Sequence, residues 1–291
     1  MIINFIKQIK NIFYSNFPRL TKIIGILLNK KPFSTFSGWG LTTTAHFPPW
    51  ANIVKQYNIH NFFLKADQKI RLEIKKKNFL FSKTFLNNNL ENTYLDELRW
   101  RHYIACWSVI YASTFTKSKK KILVECGVED GLLIFYVINN IIKYKKKYKC
   151  FLYDSWNSMR KVDLTYKEIN IRSGSNVGKF SYLKLENAVF NLKKYRKNII
   201  FNKGYIPEVF KKKIYHPKKI TWLSIDLNSS KPTLSTLKFF YNKIEKNGVI
   251  LLDDYGGGGY IETKKIVDQF MSNKKSKILP LPTGQAIIFK K

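Results

Sequence analysis

The chain has 291 residues and a formal net charge of +33, with 45% hydrophobic and 15% aromatic residues. This composition excludes a disordered chain, and the length suffices for one α/β domain with an appendage or for two small domains. The three cysteines, Cys106, Cys126 and Cys150, are too far apart in sequence for a metal knuckle, and they form no disulfide framework. We therefore expect a reducing, cytoplasmic compartment.

The basic charge is mostly lysine. Only seven of the 52 basic residues are arginines. Proteins that read nucleic acids normally use arginine for bidentate contacts to guanine and phosphate. The lysines occur together with abundant Asn, Ile, Phe and Tyr, as A+T-rich coding would produce. Compositional drift and a real anionic partner both stay open, since charge alone establishes only nonspecific attraction. We expect no nucleic-acid partner, although the charge does not exclude one.

Residues 1–95 are predicted to form an N-terminal extension. Apolar residues of the segment 1–30 fall near one helical face with lysines elsewhere, which predicts a basic amphipathic helix. Such a helix either makes peripheral contact with a membrane or docks on its own protein. The apolar run 23–28 is far too short to cross a bilayer. Residues 33–50 are predicted to be irregular, and the lysine- and asparagine-rich stretch of about 65–92 to be a connector.

Residues 96–291 are predicted to form one α/β domain. A long helix over 98–115 precedes strands at 121–126, 149–154, 198–202, 220–226, 248–253, about 277–281 and 284–290. The segments between the first five strands are long enough for helices, which predicts right-handed crossovers and a parallel sheet. The last two strands are so close in sequence that only an antiparallel hairpin can join them. This pattern indicates the Rossmann-like, seven-stranded sheet of class I methyltransferases rather than a dehydrogenase sheet.

A glycine-containing acidic loop follows the first strand. Its spacing is Glu125-x-Gly127-x-x-x-Gly131, where Gly127 lets the backbone approach a ligand and Gly131 opens the helix. A dinucleotide site would have G-x-G-x-x-G, with free amides for a pyrophosphate. The acidic residues of this loop would repel phosphates, but they suit the sulfonium and ammonium groups of S-adenosylmethionine. The alternative is an ordinary turn between a strand and a helix.

The next two strands add three candidate cofactor-binding residues. Asp154 ends the second strand, where an acidic side chain typically accepts hydrogen bonds from ribose hydroxyls. Trp156 either stacks on the adenine or belongs to the core. Gly204 ends the third strand, where a glycine lets the backbone pass near the adenine. Together with the loop after the first strand, these residues predict a site for an adenosine-bearing ligand.

Three aspartates follow the fourth and fifth strands. Asp226 closes one apolar run, and Asp253 and Asp254 close the next. Neighbouring parallel strands bring these carboxylates to the same carboxyl edge, where open α/β sheets bind their ligands. Carboxylate oxygens are ligands for hard cations, so the three aspartates are predicted to hold Mg²⁺ or Mn²⁺. The alternative is a helix cap at Asp226 and a turn pair at Asp253 and Asp254.

We assign a catalytic role to Asp226 as well, because a cation bound there could coordinate an acceptor hydroxyl and lower its pKa. No other general base is assigned. The four histidines lie outside the carboxylate motifs; they are His46, His60, His102 and His216. Two residues that follow the fourth and fifth strands are only weak candidates for the base, namely Lys231 and Glu262.

A set of short motifs recurs in the order of a known family. The motifs are Arg99-Trp100-Arg101, Val124 to Val128, Lys203 to Glu208, Ser224 to Ser229, Gly248 to Tyr255 and Pro282 to Gln285, with a fainter echo at Phe36 to Gly40. In this set the chain resembles the macrocin O-methyltransferase (TylF-like) type of class I S-adenosylmethionine-dependent enzymes over about 95–291. The resemblance implies methyl transfer to a hydroxyl, often of a sugar or secondary metabolite, with a divalent metal.

Two other functions stay open at this stage. A nucleic-acid methyltransferase acting on adenine amino groups would usually carry [N/D/S]-P-P-[Y/F/W] after the fourth strand, where this chain has Asp226 to Ser229. A non-catalytic binding protein with a relic methyltransferase fold is the third class, and the intact acidic motifs speak against it. Neither the acceptor, a small molecule or glycan, nor the oligomeric state follows from the sequence.

Overall fold

A computed structural model describes residues 61–83, 95, 98–143, 146–170, 172–256, 259–281 and 283–291. The predicted amphipathic helix over 1–30 and the irregular segment 33–50 lie outside the described residues. None of the helices in the described ranges is long and apolar enough to cross a membrane.

The described ranges contain seven strands and seven α-helices, besides short 3₁₀ helices. In chain order they are α1 (Asn61–Lys75), α2 (Arg99–Phe115), β1 (Lys120–Cys126), α3 (Leu132–Lys143), β2 (Lys147–Asp154), α4 (Arg172–Ser175), α5 (Leu185–Asn191), β3 (Ile199–Lys203), β4 (Ile220–Ile225), α6 (Ser230–Phe240), β5 (Ile244–Leu252), α7 (Ile261–Met271), β6 (Ile278–Pro280) and β7 (Ala286–Phe289). All seven predicted strands are present, each within a few residues of its expected bounds. The long helix predicted over 98–115 is α2.

The strands form one mixed sheet in the order β3-β2-β1-β4-β5-β7-β6. Strands β1 to β5 are parallel, and β7 pairs antiparallel with both β5 and β6, which confirms the predicted sheet and its terminal hairpin. The register sets Cys126 beside Ile225 and Ile225 beside Leu252. The loops after β1, β4 and β5 therefore leave the sheet side by side at its carboxyl edge.

The sheet lies between two helical layers, and alternate strand residues supply their cores. Leu123 and Trp222 pack with α1, α2 and α3, whereas Val124 and Leu223 pack with α6 and α7. Successive side chains of a strand point to opposite faces, so a sheet covered on both sides needs continuous apolar runs. Strand β4, all of whose residues are buried, is an example.

Two segments differ from the sequence-based expectations. Residues 65–75, expected to belong to a connector, are the greater part of helix α1, which buries Ala66 and Ile70 in the core with α3. The sequence-based prediction missed this helix because its lysines and its glutamate give the segment a polar composition, although the apolar residues lie on one face. Between β3 and β4, where a crossover helix was expected, the described chain has only a 3₁₀ turn at Glu208–Lys211. Proline at 207 and at 217 limits a longer helix there.

Candidate functional site

A cleft of about 690 Å³, open to solvent, lies at the carboxyl edge of the sheet. It is lined by residues that follow the first four strands, including Gly127, Asp154, Gly204 and Asp226. The lining also contains apolar side chains, namely Met159, Phe180, Leu183, Ile206, Leu227 and Pro232. Four of the predicted site residues thus line one cavity.

Gly127 holds the loop after β1 against the end of β4. Its φ is +85°, and a Cβ at this position would lie 1.7 Å from the carbonyl oxygen of Asp226. The Gly127 amide donates to the Tyr153 carbonyl oxygen at 2.9 Å, and the Asp226 amide donates to the Cys126 carbonyl oxygen at 2.8 Å. Only glycine fits, because any side chain would collide with main chain. Gly127 is therefore needed for the shape of the edge itself.

Asp154 organises two loops through backbone amides. Its Oδ2 accepts hydrogen bonds from the amides of Val128 (2.6 Å) and Glu129 (3.0 Å), and its Oδ1 accepts from the amide of Trp156 (2.7 Å). Burial raises the pKa of Asp154, and these backbone hydrogen bonds oppose the rise. A carboxylate oxygen can accept two hydrogen bonds, so Oδ1 retains capacity for a ribose hydroxyl. The ribose role stays a prediction.

Glu129 was not among the predicted site residues, yet it lines the cleft. Burial, and after it the nearby charge of Asp226, raises the pKa of Glu129 from 4.5 to about 8, while Arg101 acts in the opposite direction. A cationic ligand would favour the ionised form of Glu129, because it would relieve the repulsion between Glu129 and Asp226. The acidic composition of the loop after β1 was the feature of the sequence that pointed to Glu129.

The three aspartates lie together, as their strand positions predicted. One carboxylate oxygen from each of Asp226, Asp253 and Asp254 lies within 4.8 Å of the others. The backbone amide of Asn228 donates to Oδ2 of Asp254 at 2.7 Å. Burial raises the pKa of Asp226 to about 6 and that of Asp254 well above its usual range. The cluster therefore combines closely spaced carboxylates with a strong need for positive charge.

Arg101 from helix α2 supplies part of that charge. Its Nε donates to Oδ1 of Asp253 at 2.7 Å, and its Nη2 donates to Oδ2 of Asp226. Gln285 also donates to Oδ1 of Asp253, at 3.1 Å. Among the described residues, no donor reaches Oδ1 of Asp226, Oδ2 of Asp253 or Oδ1 of Asp254. Each aspartate thus keeps one oxygen for a ligand.

Glu125 lies beneath this cluster and away from the main cleft. It is 1% exposed and lines a small second cavity with Arg101 and His102, which Gly127, Glu129 and Asp226 also border. Burial raises the pKa of Glu125 well above its usual range, with Arg101 opposing the rise. Its Oε2 accepts no hydrogen bond from the part of the chain that the structure describes. A buried carboxyl oxygen without a donor is costly, and a polar ligand or water here would satisfy it.

Two predicted cofactor-binding residues do not line either cavity. Trp156 is buried, donates from Nε1 to the Glu129 carbonyl oxygen at 2.9 Å and packs against Phe201, so the structure places it in the core. Gly131, with φ +81°, precedes helix α3 and abuts Leu192. Both residues shape the loop after β1, and neither is positioned to touch a ligand in the cleft.

The four histidines and the two weak candidates for a base lie outside the main cleft or outside the described residues. His102 is buried with its ring stacked on Tyr136, and His216 bonds to the Tyr153 hydroxyl group. Lys231 donates to the Val162 carbonyl oxygen, and Glu262 lies in the first turn of α7. His46 and His60 belong to the part of the chain that is not described.

Comparisons with solved structures bear on the fold of this site. The structure of the O-methyltransferase NovP matches with a TM-score of 0.54 and 15% sequence identity, covering 66% of this chain and 79% of NovP. CalS11, a calicheamicin methyltransferase, matches with a TM-score of 0.53 and 10% identity, covering 78% of this chain and 91% of CalS11. The chain has the fold of the class I methyltransferases. No protein-family model matches the sequence, and no curated protein matches it.

Proposed function

We propose that this protein is an S-adenosylmethionine-dependent O-methyltransferase of the TylF-like type, acting on a hydroxyl of a sugar or secondary-metabolite acceptor with a divalent metal. The observation that carries the proposal is the single cleft that joins the loops after β1, β2 and β3 to Asp226 of the carboxylate cluster, on a methyltransferase fold. The sequence motifs and the two neighbours, NovP and CalS11, support the same class.

The chemistry of the cleft lining suits S-adenosylmethionine. Glu129, Asp154 and Asp226 supply negative charge for the sulfonium and ammonium groups, and the unpartnered Oε2 of Glu125 lies under the same loop. Apolar side chains such as Leu183 offer a surface for the adenine. Gly204 lines the same cleft without a side chain. The acidic walls argue against a phosphate-rich cofactor.

The aspartate cluster fits a hard divalent cation. With all three carboxylates ionised and Arg101 charged, the group carries a net charge of −2, and each aspartate keeps an oxygen without a donor. Three oxygen ligands with waters or an acceptor oxygen match the coordination of Mg²⁺. A cation bound there would lower the pKa of an acceptor hydroxyl. Asn228 and Gln285 would hold Asp254 and Asp253 in place.

In the proposed reaction, the acceptor oxygen attacks the methyl carbon in line with the carbon–sulfur bond. The new carbon–oxygen bond forms as the carbon–sulfur bond breaks. The electron pair of the broken carbon–sulfur bond stays on sulfur. Asp226 lines the cleft, and we assign it to receive the hydroxyl proton. The chain otherwise acts by positioning, which can contribute ~7–11 kcal/mol in well-aligned cases.

The test is a transfer assay with S-adenosylmethionine and a panel of hydroxylated acceptors, including nucleotide sugars. Mass spectrometry would follow S-adenosylhomocysteine and the methyl ether, with Mg²⁺ or with a chelator. We expect product with Mg²⁺ and a loss of at least tenfold on chelation and in Asp254→Asn. Exposed Glu186 provides the control Glu186→Gln, which should retain activity. If neither chelation nor Asp254→Asn reduced turnover, the reaction would not depend on a metal.

A further inference from the structure

The amino edge of the sheet, opposite the cleft, is lined with lysines. Parallel strands start at this edge, and β7, which runs the other way, ends there. The other six strands each have an exposed lysine within their first three residues or the two residues before them, namely Lys120, Lys147, Lys197, Lys219, Lys246 and Lys277. Lys291 follows β7 and is exposed as well. A lysine thus occurs at the same end of all seven strands.

These lysines form a row along the strand ends, although they are not all at the same level of the sheet. Lys120 and Lys147 are register partners on adjacent strands. With a spacing of about 4.8 Å between strands, seven strands give a row roughly 29 Å wide. Of the described residues in or beside these strand ends, only Glu245 is acidic. It is buried, accepts hydrogen bonds from Ser118 and Thr221, and lies 3.7 Å from Lys219. The edge is therefore strongly and almost uniformly positive.

Two apolar side chains project beside the row. Phe115 at the end of α2 is 54% exposed, and Ile142 near the end of α3 is 44% exposed. The side-chain amide of Asn247 in β5 donates to the Phe115 carbonyl oxygen at 3.1 Å, which ties this helix end to the lysine edge. A small hollow beside Lys146 is lined by residues near the ends of both α2 and α3. Both helices thus finish at the edge where the lysines lie.

We propose that this amino edge docks on an anionic lipid bilayer. The lysine row supplies charge complementarity to anionic headgroups, and Phe115 and Ile142 can enter the headgroup region. Lysine provides point charges without the bidentate geometry that nucleic-acid recognition prefers. The sugar–phosphate backbone of a nucleic acid would offer Phe115 and Ile142 no apolar environment. The opposite edge bears the acidic cluster, so docking leaves the cleft facing away from the membrane. This inference does not depend on methyl transfer.

The test is co-sedimentation of the full chain with vesicles of phosphatidylcholine alone or with phosphatidylserine added. The edge variant combines Lys120→Gln, Lys147→Gln and Lys246→Gln. A lysine near an anionic surface contributes roughly fivefold in affinity, so the variant should bind phosphatidylserine vesicles about 100-fold more weakly. Wild type should bind phosphatidylcholine vesicles poorly. Its binding should weaken between about 0.1 M and 1 M salt, as the screening length falls.

The matched control removes the same charge from the other side of the molecule. It combines Lys161→Gln, Lys167→Gln and Lys184→Gln, three exposed lysines on the segment between β2 and α5. We expect it to bind vesicles within a fewfold of wild type, and both variants should melt like wild type. Equal losses in the two variants would overturn the proposal in favour of a net-charge effect. Binding to RNA, with no binding to phosphatidylserine vesicles, would overturn it in favour of a nucleic-acid partner.

Discussion

At the scale of single residues, Arg101 sets the charge of the carboxylate cluster. Its guanidinium group donates to two of the three aspartates while remaining 8% exposed. A lysine has no planar fork with which to reach both carboxylates at once. Arginine in the first turn of a helix also opposes the helix dipole, which favours negative charge there. This unfavourable position was the sequence signal that Arg101 has a role outside its own helix.

We predict that Arg101→Met destabilises the protein by about 3–5 kcal/mol, the range for removing one partner of a buried ion pair. Mg²⁺ should restore part of the loss, so the metal-induced rise in melting temperature should be larger in the variant than in wild type. The stability of Arg101→Lys should lie between those of Arg101→Met and wild type. Thermal denaturation with Mg²⁺ or with a chelator measures this. An Arg101→Met protein as stable as wild type would show that the contacts to the aspartates carry little energy.

At the scale of elements, the loop after β1 depends on contact between main chains. Gly127 and Gly178 both have positive φ, of +85° and +78°. A Cβ on Gly127 would strike the Asp226 carbonyl oxygen, whereas a Cβ on Gly178 meets nothing within 4 Å. The pair therefore separates the cost of the backbone conformation from the cost of the collision.

We predict that Gly178→Ala costs about 1 kcal/mol, the lower end for a strained backbone conformation. Gly127→Ala should cost about 2 kcal/mol more, within the range for an overpacked site, and should also weaken cofactor binding, because the ends of β1 and β4 must separate. Chemical denaturation gives both free energies of unfolding. If the two variants lost equal stability, the close approach at Gly127 would not be a real constraint.

The sequence predicted those elements whose pattern is local. Continuous apolar runs marked the strands, and the strand-end positions of Asp226 and Asp253 were enough to predict that their carboxylates meet. Helix α1 was missed because lysines surround its apolar stripe. Trp156 could not be assigned, since a tryptophan after a strand suits either a ligand or the core. Contacts that only tertiary packing creates, such as Arg101 with Asp253, were not predictable from spacing.

At the scale of the whole molecule, charge is divided between the two edges of the sheet. The three clustered aspartates lie at the carboxyl edge, and the exposed lysines lie along the amino edge. Burial raises the pKa of Glu129 to about 8 and that of Asp254 well above its usual range. An acid whose pKa is raised by folding retains its proton in the folded state after the unfolded chain has lost it. Stability therefore falls as pH rises through that interval.

We predict that the ligand-free protein loses stability between pH 7 and pH 8, where folded Glu129 still holds a proton that the unfolded chain has lost. In this range unfolded histidines are already mostly neutral, so they add little slope. Glu129→Gln should flatten the dependence, and exposed Glu186→Gln should not. Melting temperatures across the pH series, in the presence of a chelator, provide the measurement. A stability that rises over this range in wild type would contradict the raised pKa of Glu129.

Calorimetric titration with S-adenosylmethionine and S-adenosylhomocysteine tests most directly whether the cleft binds the cofactor. We predict one site per chain for both ligands. Glu129→Gln should weaken S-adenosylmethionine by about tenfold, or ~1.4 kcal/mol, and should weaken S-adenosylhomocysteine less, because the latter lacks the sulfonium charge. Glu186→Gln should bind both ligands like wild type. A folded wild-type protein that binds neither ligand, with or without Mg²⁺, would contradict the account.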